Sequence, residues 1–206
     1  MINYKEFRES VQKDFDNELN VTDDLKGLSP AEVQDVQRSR SLPYAVCALN
    51  VTGNINISTM VRTAVIFGAE RFFLMGRKVW DKRGTVGAQN YIDMTVESAM
   101  KNEVEIDAVK VYSTIVAAGY RPIVVDTCEP EMVQHYNFTR PEYNPVYCGY
   151  KSCLIFGNEG LGLPQDLIDL CGEDKVTIPQ IGVMRSLNVS TAAGIIMWHV
   201  ANELNR

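Results

Sequence analysis

From Tyr44 onward the chain alternates short apolar runs of strand length with longer segments of helical period, and no other feature restricts its fold as much. Y-A-V-C-A-L (44–49), R-F-F-L-M (71–75), R-P-I-V-V-D (121–126) and K-S-C-L-I-F (151–156) are the strand-like runs. Helix-like segments follow at 57–68, 103–118, 164–171 and 187–204. This alternation predicts an α/β fold, a mostly parallel sheet with helices on both faces. Ligands of such sheets collect outside the carboxyl ends of the strands. The run 151–156 leads straight into G-N-E-G-L-G, which puts that loop where a ligand would sit.

The 206 residues suit one domain over 44–206, preceded by a short helical N-terminal extension over 1–43. In the extension, Tyr4, Phe7, Val11, Phe15 and Leu19 recur at steps of three and four and predict an amphipathic helix over 4–19. S-P-A-E (Ser29 to Glu32) predicts a second helix to about Arg40, with a capping box and proline at its first position. The net charge is −6, and residues 1–36 carry −5 of it. Elsewhere Arg71, Arg77, Lys78, Lys82 and Arg83 gather around Asp81, as a basic patch or simply a solvated loop.

Five cysteines with no C-x-x-C pair suit reduced thiols rather than a disulfide framework or a zinc site. Only His135 and His199 offer imidazole, neither near a second ligand in sequence, so no metal is expected. No apolar run approaches the roughly 18 residues of a membrane span. The first ten residues, M-I-N-Y-K-E-F-R-E-S, have no apolar signal core, so the expected location is cytoplasmic.

Three segments carry the chemistry. In N-I-S-T-M-V-R-T-A (Asn56 to Ala64), Asn56 can cap a helix on which Arg62 stands among apolar neighbours, as a cleft residue or a surface arginine. In G-N-E-G-L-G-L-P (Gly157 to Pro164), three glycines surround Glu159; glycine permits close backbone approach to a ligand or, more plainly, a turn. That loop is neither a dinucleotide fingerprint nor a phosphate-binding P-loop. In I-P-Q-I-G-V-M-R-S-L-N-V-S (Ile178 to Ser190), Gly182 permits a tight loop and Ser186 and Asn188 stand at a helix start, where a serine often serves only as a cap. Ala192, Ala193 and Gly194 follow, small enough for another segment to pack close.

Taken together, these segments resemble the SpoU/TrmH family of the SPOUT (α/β-knot) RNA methyltransferases. The likeness rests on Asn56 with Arg62-Thr63-Ala64, on Phe156 to Pro164, and on Ile178 to Ser190, and it covers about residues 44–204. The R-S-L-N form with Arg185 looks closest to the tRNA guanosine 2′-O-methyltransferase subgroup. One departure is Ser58, where the family has glycine. The resemblance implies a SPOUT fold with a C-terminal deep trefoil knot and a homodimer with its active site next to the interface. It implies an S-adenosylmethionine pocket lined by Phe156, Gly157, Asn158, Gly160, Ile178, Gly182, Leu187 and Asn188.

The implied reaction is methyl transfer to a ribose 2′-hydroxyl of RNA, tRNA before rRNA. Arg62 would be the main catalytic group, with Asn56, Glu159, Ser186 and Asn188 organising the site. A free guanidinium is a poor base, so the conservative role for Arg62 is to hold a phosphate and position the hydroxyl. The reading from another class is an RNA-binding knot-fold dimer without catalysis.

Overall fold

The computed structural model describes residues 19–76, 80–103, 105–128, 130–133, 137 and 149–205. The helix expected over 4–19 lies outside them apart from Leu19. The capping box forms as its sequence predicts. Ser29 Oγ accepts the Glu32 backbone N–H, and the Glu32 carboxylate accepts the Ser29 N–H at 2.8 Å, opening α1 (Pro30–Ser39).

Six strands follow: β1 (Leu42–Leu49), β2 (Ala69–Met75), β3 (Asp93–Glu97), β4 (Arg121–Val125), β5 (Ser152–Phe156) and β6 (Lys175–Val176). They form one parallel sheet in the order β3-β2-β1-β5-β4-β6. Among the described residues, four further α-helices pack with it: α2 (Asn54–Ile66), α3 (Ala108–Ala117), α4 (Gln165–Cys171) and α5 (Val189–Leu204).

The apolar runs are nearly continuous because both sheet faces are covered. On β1, Tyr44, Val46 and Ala48 face α2 and α5, while Ala45, Cys47 and Leu49 face α3 and α4. Of the four described cysteines, Cys47, Cys153 and Cys171 are buried, and all four are free thiols. The Tyr44 hydroxyl, deep under α2, donates to the Phe67 carbonyl at 2.8 Å and ties the end of that helix to the sheet. The return from edge strand β6 to α5, which packs on α2 and β1, is consistent with the threading that the resemblance implies.

Several boundaries differ from expectation for local reasons. The helix expected from 103 begins at Ala108, because the Asp107 side chain accepts the Lys110 N–H and caps it there. β3 was not expected, since D-M-T-V-E at a half-exposed sheet edge has no apolar run to betray it. The expected basic cluster is divided: Arg71 faces Asp93 and Phe73, Arg83 is paired with Asp81 at 2.6 Å, and Arg77 and Lys78 lie outside the described residues.

Ser58 faces the chain itself. It is buried, and its hydroxyl donates to the Asp81 carbonyl at 2.8 Å. Opposite it, a Cβ placed on Gly84 would stand 2.7 Å from Ser58 Cβ. The small residue required at this contact is therefore supplied from the other side. Gly84→Ala is expected to lower stability by about 1–3 kcal/mol through overpacking. The same change in a Ser58→Gly background should cost at least ~1 kcal/mol less, read as a coupling in a double-mutant cycle of denaturant midpoints. Equal losses in both backgrounds would show that the two residues do not compete for this space.

Candidate functional site

The chain leaves β1 toward β2 and β3 on one side of the sheet, and β5 and β4 lie on the other. The order therefore reverses between β1 and β5, where a crevice opens at the strands' carboxyl ends. The loop after β1 enters α2 on one face, and the loop after β5 enters α4 on the opposite face. One carboxylate joins them. Glu159 accepts the Thr52 N–H at 3.1 Å, the Thr52 hydroxyl at 3.1 Å, the Gly53 N–H at 3.2 Å and the Asn56 Nδ2 amide at 2.8 Å.

This arrangement corrects the capping role expected of Asn56. Helix α2 opens three residues earlier, with Gly53 at its N-cap, so Asn56 falls inside the first turn. An anion from another loop takes the free N–H groups at that helix start, where the helix dipole also favours negative charge. Partial burial pushes the Glu159 carboxyl up, but the bonds from Asn56, Thr52 and Gly53 outweigh it and lower it from 4.5 to about 2.

Asn56 extends the chain of bonds to the third segment. Its Oδ1 accepts Asn188 Nδ2 at 3.1 Å and lies 3.3 Å from the Ser190 hydroxyl. Asn188 in turn caps α5, its Oδ1 accepting the N–H groups of Ser190 and Thr191. The cap is thus Asn188; Ser186 stands exposed two residues before it. Asn158 adds a parallel tie, donating from Nδ2 to the Asn50 carbonyl at 2.9 Å while its Oδ1 accepts from Gly160 and Leu161. Gly157 is required by close approach, since a Cβ there would lie 2.6 Å from the Gly162 carbonyl.

Beside this framework lies a cleft of about 600 Å³ at the ends of β4, β5 and β6. Of the expected cofactor residues, Phe156, Gly157, Asn158, Gly160, Ile178, Leu187 and Asn188 line it, and Gly182 does not. Glu159 and Ser186 also line it, while Asn56 reaches it only through its bonds to Glu159 and Asn188. Asp126, Thr127 and Gln180, which sequence reasoning passed over, line it too. The strand end at 121–126 was the one signal that pointed to the first two.

Arg62 is not in the cleft. It is exposed on α2 and lines a second groove with Arg40, Ile66 and Tyr91. A nucleoside carrying an amino-acid tail fits the cleft's size, within the roughly 300–1,000 Å³ of small-molecule sites, and its donor set of backbone and neutral polar groups with few charges.

The model of the SpoU rRNA Methylase family matches residues 43–198. Among curated proteins, the chain is 36% identical over 91 residues to the mouse tRNA (guanosine(18)-2′-O)-methyltransferase TARBP1, covering 42% of this chain and only 5% of the mouse protein. It is 26% identical over 176 residues to the tRNA (guanosine(18)-2′-O)-methyltransferase of Aquifex aeolicus, covering 83% of this chain and 74% of that protein. The crystal structure of the A. aeolicus TrmH/SpoU tRNA modifying enzyme superposes with a TM-score of 0.64 at 24% identity, over 84% of this chain and 81% of that one. That of the SpoU methyltransferase AviRb of Streptomyces viridochromogenes, in complex with the cofactor AdoMet, gives 0.55 at 25% identity, over 77% and 57%.

Glu159→Gln is expected to lower stability at pH 7 by on the order of 1–2 kcal/mol, a figure discounted for solvent screening of an exposed carboxylate. Because the folded carboxyl is lowered, its contribution is whole above pH 4.5 and is lost as the pH falls toward about 2. Urea midpoints of the wild type should therefore fall more steeply than those of Glu159→Gln across that window. Parallel curves would remove Glu159 from the role of charged anchor.

Proposed function

As the chain belongs to the SpoU rRNA methylase family, a family of S-adenosylmethionine-dependent RNA methyltransferases, we propose that it methylates the ribose 2′-hydroxyl of a guanosine in tRNA. The observation that carries this reading is the bond chain Glu159–Asn56–Asn188, which draws three separate sequence segments to one cleft. The tRNA assignment follows the mouse and A. aeolicus relatives. The cofactor, when bound, supplies an electrophilic methyl group on its sulfonium.

In this reading the chain's own residues bind and orient. Backbone at Phe156, Gly157, Ile178 and Leu187 holds the cofactor in the cleft. Glu159, Asn56 and Asn188 keep the cleft wall rigid, so that the methyl group and the hydroxyl meet in line. Arg62 grips a phosphate of the RNA and sets the hydroxyl in place, a task suited to the guanidinium fork.

Arg62 serves such a site best from a second copy of the chain. On α2, Ile55, Thr59, Arg62 and Ile66 form one exposed stripe, with Ile55 82% accessible. On α5, Thr191, Ile195, Trp198 and Asn202 form another, with Trp198 55% accessible. Helices α2 and α5 pack together, so the two stripes present isoleucines and a tryptophan to solvent around the arginine. A homodimer that covers this face would bring Arg62 beside the interface. The reading includes a cytoplasmic location; among the described residues no helix is long and apolar enough to cross a membrane.

Mass-spectrometric mapping of 2′-O-methyl groups, on total RNA incubated with the chain and S-adenosylmethionine, is expected to show a new methylguanosine in tRNA. A mark confined to rRNA would move the same chemistry to that substrate, and no mark at all would favour a non-catalytic RNA-binding dimer. Arg62→Ala should lower kcat by about 100-fold or more with the affinity for S-adenosylmethionine kept. Trp198→Glu should turn a sedimenting dimer into a monomer that still binds the cofactor. A wild-type monomer in sedimentation would refute the shared face.

A further inference from the structure

Among the described residues that line the cleft, Arg185 is the one cation. Its exposed guanidinium has neither hydrogen bond nor ion pair among them. The other charged groups of the lining are acids, Asp126 and Glu159. Most of the polar side chains around it are already engaged. Glu159 takes four donors from the β1–α2 loop and α2, and Asn158 spans Asn50, Gly160 and Leu161. Asn188 caps α5 and binds Asn56, and Asp126 Oδ1 accepts the Thr127 N–H at 2.8 Å.

If the cleft holds S-adenosylmethionine, on which this step rests, it must receive an α-amino carboxylate as well as a nucleoside. Two acids in the same lining repel that carboxylate. A guanidinium accepts it in a two-pronged geometry that neither a neutral amide nor an ammonium matches. We infer that Arg185 receives the carboxylate of the methyl donor and makes the cleft prefer S-adenosylmethionine over the same sulfonium nucleoside without that group. Its place in the loop between Gln180 and the Asn188 cap sets the arginine at the cleft rim, one residue before Ser186.

The test is a ligand–variant cycle by calorimetry on the full chain. S-adenosylmethionine and its decarboxylated form are titrated into wild type, Arg185→Ala and Arg185→Lys. The wild type should bind the decarboxylated form about 10- to 100-fold more weakly, the range for a charge-assisted pair. Arg185→Ala should lose that same factor for S-adenosylmethionine and bind both ligands within about threefold. Arg185→Lys should recover part of the difference. Because Arg185 is exposed and bonds to nothing described, thermal melts of the variants should match the wild type.

Discrimination that survives in Arg185→Ala overturns this inference alone. So does unchanged ligand affinity together with a raised KM for RNA, which would make Arg185 a phosphate contact. A folded wild type that binds neither ligand overturns the cofactor reading as well, and is distinguished by that result.

Discussion

Everything at the functional end of this molecule hangs on one contact beside the cleft, a solvent-exposed carboxylate seated at the start of a helix that belongs to another segment. A parallel sheet with a reversal of strand order leaves its loops diverging toward opposite faces. Beyond the strand ends, the loop after β1 and the loop after β5 meet through polar bonds, the Asn158–Asn50 bond among them. Glu159 supplies a further tie with four donors, and the amide of Asn56 carries it on to Asn188 and the start of α5. Three helices and two strands thereby take their relative positions from a handful of polar atoms at the rim of the core. The apolar layers fix the sheet; these bonds fix where its loops point.

Much of this could be read from the residues because burial on both faces makes strands conspicuous. Runs such as 44–49 and 153–156 have no strongly polar position to confuse them, and their helices follow at regular intervals. The edge strand 93–97 was invisible for the opposite reason, since none of its residues is buried and both its ends carry charge. At the site, Glu159, Asn56 and Asn188 announced themselves by residue type and spacing, but not what each would touch. Caps are local and legible, as Ser29 and Glu32 show. A cap delivered from 106 residues away along the chain is not, because no local pattern records it. Thr52 was missed on that account.

The separation of Arg62 from the cleft carries a second lesson. Its exposed stripe on α2 includes Ile55 and Ile66 as well as Thr59, more apolar than a solvated helix face needs to be. A guanidinium in that company is costly to bury unless a partner or ligand engages it. The acidic balance of the chain poses no obstacle to a polyanionic substrate in this arrangement, because residues 1–36 carry −5 of the net −6. What matters for RNA is the field around a few positions and not the sum over the chain.

The contact between Ser58 and Gly84 has a consequence for how such a chain can vary. Space for one side chain exists there, and the serine occupies it while also engaging the Asp81 carbonyl. Restoring glycine at 58 would strand that carbonyl, and enlarging 84 first would meet the serine. The two positions are therefore coupled in order as well as in volume: a larger residue at 84 requires that 58 be reduced first. Judged alone, the serine is a departure; judged with Gly84, it is the larger member of a pair with room for one side chain.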